Sequence, residues 1–118
     1  LSVVINGTAI RMTRGDSLSV GVTITYCDGT PFEPEVGDSV RFALKSSAMT
    51  VGNKEFKDRE PLIVKDIPTD TLLLELDPED TKGLPFGNYT YDIELTYASG
   101  YVDTFISEGV FILAPEVH

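Results

Sequence analysis

The stretch that most constrains this chain runs from Asp77 to Leu95: Asp-Pro-Glu-Asp-Thr-Lys-Gly-Leu-Pro-Phe-Gly-Asn-Tyr-Thr-Tyr-Asp-Ile-Glu-Leu. In its second half Tyr89, Tyr91, Ile93 and Leu95 alternate with Thr90, Asp92 and Glu94. That is the two-residue period of a strand with one buried face. Leu84-Pro85-Phe86-Gly87 turns the chain just before the strand. A Leu, then a Gly, then a Tyr opening a strand is the local pattern of a tyrosine corner. Leu84, Gly87 and Tyr89 are therefore expected to play a structural part, with the phenol ring under a crossover loop and its hydroxyl bonded to nearby backbone. The polar first half predicts one helical turn over Pro78, Glu79, Asp80 and Thr81, with Asp77 as cap and Pro78 at the first helical position.

The rest of the chain repeats a strand-and-turn grammar. Ile10 and Met12 alternate with Ala9 and Arg11, a short strand. Leu18, Val20, Val22 and Ile24 alternate with Ser17, Ser19, Gly21 and Thr23, which predicts one continuous strand. Asp28-Gly29 is a tight-turn signal. Val40, Phe42 and Leu44 alternate with Arg41, Ala43 and Lys45. Gly15-Asp16-Ser17 and Gly37-Asp38-Ser39 each precede a strand, where Gly supplies a permissive backbone and Asp or Ser bonds the turn amides. Residues 46–60 lack a pattern and are read as a long exposed connection, with a ragged strand near Phe56. Leu62 and Val64 start a strand that Pro68 closes. Thr71 to Leu76 holds four leucines in six residues, which predicts a strand covered on both faces. Ala98-Ser99-Gly100 is a hairpin turn. Tyr101 to Ser107 returns as a strand, broken or bulged near Glu108-Gly109, and Val110 to Leu113 closes the fold. Helical periodicity is absent throughout. The expected fold is therefore all-β, an antiparallel β-sandwich of about seven to nine short strands with a Greek-key crossover, occupying residues 1–118 as a single domain.

Charge narrows the partners. Leu1 to Lys65 carries 8 acidic and 8 basic residues, whereas Asp66 to His118 carries 11 acidic residues and the single base Lys82. The net charge of -10 thus sits in the second half. It repels phosphate backbones and anionic lipid, so neither nucleic acid nor a membrane surface is an expected partner, while a basic protein surface or a cation is attracted. No apolar run approaches the roughly 20 residues that cross a bilayer. The chain opens with Leu1 and lacks a signal-peptide plan, which is read as a trimmed or cleaved start. One cysteine, Cys27, permits no internal disulfide.

Candidate chemistry is sparse. The one histidine is His118, at the terminus, so no Ser–His or Cys–His pair is expected and catalysis is not predicted. A small-molecule substrate and a cofactor are likewise not expected. Cys27 is read as an inert thiol. Asp77, Glu79 and Asp80 are the oxygen-rich group best suited to calcium, although Pro78 interrupts them and a capped turn explains the same residues. Arg14-Gly15-Asp16 spells an integrin-type triplet but falls where a turn is needed. Asn6-Gly7-Thr8 and Asn88-Tyr89-Thr90 are glycan-acceptor triplets. Tyr89, Tyr91, Tyr97 and Tyr101 are candidates for a stacking platform for sugars. Of these, Tyr97 and Tyr101 flank the hairpin turn and are the candidate binding surface.

Three segments carry a resemblance: Arg14 to Val20, Val36 to Phe42, and Leu76 through Ile93. The hairpin continuing to Phe105 and the closing Gly109-Val110-Phe111-Ile112 fit as well. Together they resemble the Ig-like modules encoded in bacteriophages and prophages of Gram-positive bacteria, over roughly Ile10 to Val117 and departing at residues 46–60. The resemblance implies a virion-associated tail or baseplate accessory module, present in the virion or in the bacterial cytoplasm during assembly. It brings no catalytic residue. The implied role is non-enzymatic: structural or protein-binding, with a protein partner or self-association through a sheet edge or apolar face. The alternative is a cell-surface adhesion or carbohydrate-binding module.

Overall fold

A computed structural model of the chain describes residues 3–5, 9–26, 28–46 and 60–115, with only the backbone course given at 3–5 and 104–108. The described residues form nine short strands and one single-turn helix. The strands are β1 (Val3–Ile5), β2 (Ile10–Thr13), β3 (Leu18–Gly21), β4 (Ile24–Tyr26), β5 (Ser39–Ser46), β6 (Ile63–Ile67), β7 (Leu73–Leu76), β8 (Gly87–Thr96) and β9 (Val102–Ala114). The helix, α1, is Pro78–Thr81. A curled sheet runs in the order β2-β9-β8-β5-β6, and two small antiparallel pairs, β1-β4 and β3-β7, accompany it.

The large sheet is mixed, which corrects the expectation of a purely antiparallel fold. Ile10 to Thr13 run parallel to Phe111 to Ala114. Alternation within a strand says which side chains face inward. It carries no information about the direction of the strand alongside.

The core sits on one face of this sheet. Val40, Phe42 and Leu44 of β5, Tyr89, Tyr91, Ile93 and Leu95 of β8, and Phe111 and Leu113 of β9 are all buried. Registry places Phe42 beside Ile93, Leu44 beside Tyr91, and Tyr89 beside Phe111. The Phe42 ring lies 5.5 Å from Tyr91 and 6.3 Å from Phe111, both tilted. Ile10, Met12, Ile24, Phe32, Leu74 and Leu76 join the same cluster.

Two strand expectations change, and a third is met in its bulged form. The alternating run Leu18–Ile24 is two strands: β3 pairs with β7, and β4 pairs with β1. The Val22 amide still donates to the Leu72 carbonyl at 2.8 Å before the chain changes partner. The leucine-rich segment is covered on one face only. Leu72 turns the chain at φ +52, and β7 then points Leu74 and Leu76 inward while Leu73 is 37% exposed. The return strand is continuous from Val102 to Ala114. Its irregularity takes the form of two register shifts. Between the Tyr91–Gly109 and Ile93–Ile106 pairs β8 advances two residues and β9 three, and a second shift follows between Ile93 and Glu94. The extra residues on β9 are those of a bulged strand. Residues 47–59, including the region of Phe56 and most of the expected long connection, lie outside the described residues.

Candidate functional site

The two Gly-Asp-Ser turns and the crossover lock opposite ends of the molecule. At one end α1 forms as its sequence predicts, with Pro78 in the first turn and the Asp80 carboxylate accepting from the Asp77 amide at 2.7 Å. The Gly15 amide, held at φ +85, donates to the Thr81 hydroxyl at 3.0 Å. The Arg14 guanidinium lies 4.0 Å over the Phe86 ring and donates to the Leu84 carbonyl at 3.4 Å. Arg14 and Gly15 of the Arg14-Gly15-Asp16 triplet therefore clasp the crossover. Beyond it, the Tyr89 hydroxyl donates to the Pro85 carbonyl at 2.5 Å. That bond draws the Leu84-to-Gly87 loop over the start of β8, and burial raises the phenol above its ordinary value.

The calcium candidates are engaged by lysines at this end. Asp80 pairs with Lys65 at 3.0 Å, Asp77 stands 3.8 Å from the same ammonium, and Glu79 pairs with Lys82 at 3.1 Å. The Asp80 hydrogen bond raises Lys65 above its ordinary value. These contacts fasten β6 to α1. Among the described residues no group of three or more His, Cys, Asp or Glu side chains is placed to hold a metal ion.

The β8–β9 hairpin forms the other end. The Tyr97 amide donates to the Tyr101 carbonyl and the Gly100 amide to the Tyr97 carbonyl, each at 2.8 Å. This closes the Ala98-Ser99-Gly100 turn and sets the Tyr97 and Tyr101 rings 5.8 Å apart at 41°. Asp38 ties this turn to the preceding loop: one oxygen accepts from the Ala98 amide and the other from the Glu35 amide, each at 2.9 Å. Gly37 packs against Ala98 with φ +97. Phe32 anchors the loop by burying its ring and donating its amide to the Ile24 carbonyl. Its ring meets Tyr26 edge-on at 6.0 Å.

The result is an open cleft of about 430 Å³. Tyr26, Tyr97 and Tyr101 line it together with Glu33, Glu35 and Asp38, and among the described residues no Lys, Arg or His does. Burial raises the Tyr97 phenol above its ordinary value, and Asp103, Tyr26, Asp38 and Tyr101 push the same way. Tyr97 thus stays protonated at neutral pH. Of the four tyrosines considered for a platform, Tyr89 and Tyr91 are core residues, and only Tyr97 and Tyr101 meet at the surface. Tyr26, Glu33, Glu35 and Asp38 escape a sequence reading because they reach the cleft from distant positions. The repeated Gly-Asp-Ser turn was the one available signal for Asp38.

A second surface is the outward face of the large sheet. Registry aligns Val64, Ala43 and Asp92 in one row and Lys45, Thr90 and Val110 in the next. Val64 and Val110 are each 48% exposed. Arg41 and Asp66 pair at 3.5 Å in the row on the other side of Ala43. Burial raises the Asp92 carboxyl above its ordinary value, Lys45 opposes this and Glu94 adds to it. Cys27, His118 and Asn6-Gly7-Thr8 lie outside the described residues, while Asn88 is the second, exposed residue of β8. No protein-family model matches this chain, and no curated protein matches it.

Proposed function

We propose that this chain is a non-enzymatic structural and protein-binding module with an Ig-like sandwich arrangement, working as a tail- or baseplate-associated component of a phage or prophage particle. What supports the Ig-like arrangement is the five-stranded sheet β2-β9-β8-β5-β6 sharing its core with Leu74 and Leu76 of the β3-β7 pair, together with a crossover closed by the Tyr89 bond. The observation that carries the binding role is the outward face of the large sheet. Val64 and Val110 expose about half their surface there on either side of Ala43 and Thr90. Among the described residues β6, the strand bearing Val64, has a hydrogen-bonded neighbour on one side only. Such an edge and face are natural docking surfaces for another subunit.

Light scattering after size exclusion, over a wide concentration range, tests this together with electron microscopy of the parent particle. The expected result is density for the chain in the particle and loss of assembly in the Val64→Lys/Val110→Lys variant. A particle without the chain, or an assembly indifferent to both lysines, overturns it. A carbohydrate-binding or adhesion module is the second reading, favoured by the Tyr97–Tyr101 pair. A glycan array that yields a ligand sensitive to Tyr101→Ala supports it, and a blank array removes it.

A further inference from the structure

We infer that the cleft at the β8–β9 hairpin end binds the lysine or arginine side chains of a basic segment of a partner protein. This goes beyond the sheet-face reading and does not depend on it, since the two surfaces share no residue.

Three features of the cleft select a cation. The first is aromatic. Tyr26, Tyr97 and Tyr101 line the cleft, and an ammonium or guanidinium within about 6 Å of a ring face is attracted by the ring quadrupole. The second is charge. Glu33, Glu35 and Asp38 line the same space, and no cationic side chain lines it among the described residues. Asp38 spends both oxygens on the Glu35 and Ala98 amides, so it fixes the wall, while Glu33 and Glu35 are exposed to an incoming charge. The third is shape. Tyr97 and Tyr101 stand at 41° to one another, so they present two inclined ring faces rather than one plane. The chain's net charge of -10 adds a long-range pull on a basic partner.

Titration of the ¹⁵N-labelled full chain with a tetralysine peptide, followed by amide NMR, tests the inference. Its Nε-acetylated counterpart and an N-acetylglucosamine tetramer serve as comparison probes. Tetralysine is expected to shift the amides of Ala98, Ser99 and Tyr101, and the acetylated peptide to leave them in place. Tyr101→Ala, at a side chain 63% exposed, is expected to weaken binding about three- to tenfold. The Glu33→Gln/Glu35→Gln variant, altered only at exposed positions, is expected to weaken it as well. Shifts scattered over the acidic second half, with an affinity indifferent to Tyr101→Ala, mean non-specific attraction and overturn the proposal. Shifts at these amides with the sugar but not with tetralysine overturn it in favour of a carbohydrate site.

Discussion

The Gly15 amide and the Thr81 hydroxyl meet at 3.0 Å and join the turn after β2 to the crossover helix across 66 residues. Thr81 is fully buried. Removing its hydroxyl leaves the Gly15 N–H without this acceptor. Thr81→Val, nearly equal in shape, is expected to cost about 1–3 kcal/mol, and Thr81→Ser to cost less because it keeps the bond. Urea unfolding of both variants checks the order, and equal stability of Val and wild type would remove the bond from the list of contributors.

Gly37 sits with φ +97, and a Cβ placed on it would stand 2.9 Å from the Ala98 Cβ. Both the backbone conformation and the contact oppose a side chain. Gly37→Ala is expected to destabilise by about 1–3 kcal/mol. The Ala98 amide, which donates to Asp38, should also exchange faster with solvent. Hydrogen exchange at Ala98 separates a local loosening of the hairpin from a global loss.

Tyr89→Phe keeps the ring in the core and removes the hydroxyl that donates to Pro85. The expected cost is on the order of 1 kcal/mol. An unchanged melting curve would mean that the corner bond contributes nothing net.

Asp92 gives the pH prediction. Burial makes its ionised form less favourable in the folded chain than in the unfolded one, so its folded pKa lies above the ordinary 3.8. The folded state therefore holds the proton longer, and stability from this group is present at low pH and lost as pH rises through the folded value. Asp92→Asn, neutral at every pH, is expected to melt higher than wild type at neutral pH and to lose that advantage below the ordinary carboxylate value. Loss of the attraction to Lys45 works against the gain and keeps it small. Melting temperatures of the two proteins across the acid range check the sign. A wild type that gains on the variant as pH rises would reverse it.

Much of this molecule was legible as local grammar. The alternation of Tyr89 to Leu95 identified the buried face of β8, since a period of two leaves no choice once one face is apolar. Asp77-Pro78 marked the helical turn, because a cap and a fixed proline φ act within a few residues. Gly15 and Gly37 announced left-handed turns for the same local reason. Pairing was not legible in that way. The parallel β2–β9 pair, the change of partner between Gly21 and Ile24, and the outward turn of Leu73 each depend on a strand far away in sequence.

The binding surfaces divide along the same line. The sequence alone put Tyr97 and Tyr101 on either side of one turn, and a hairpin then has to bring them together. Only the tertiary structure added Tyr26, Glu33, Glu35 and Asp38 to them, through an Asp38–Ala98 bond that spans 60 residues. It also set Asp77 and Asp80 against Lys65 and left Glu79 to Lys82. Backbone preference and hydrophobic period act over a few residues and can be read along the chain. Which charges share a space depends on how sheets and loops close on one another, and the packing of the whole core decides that.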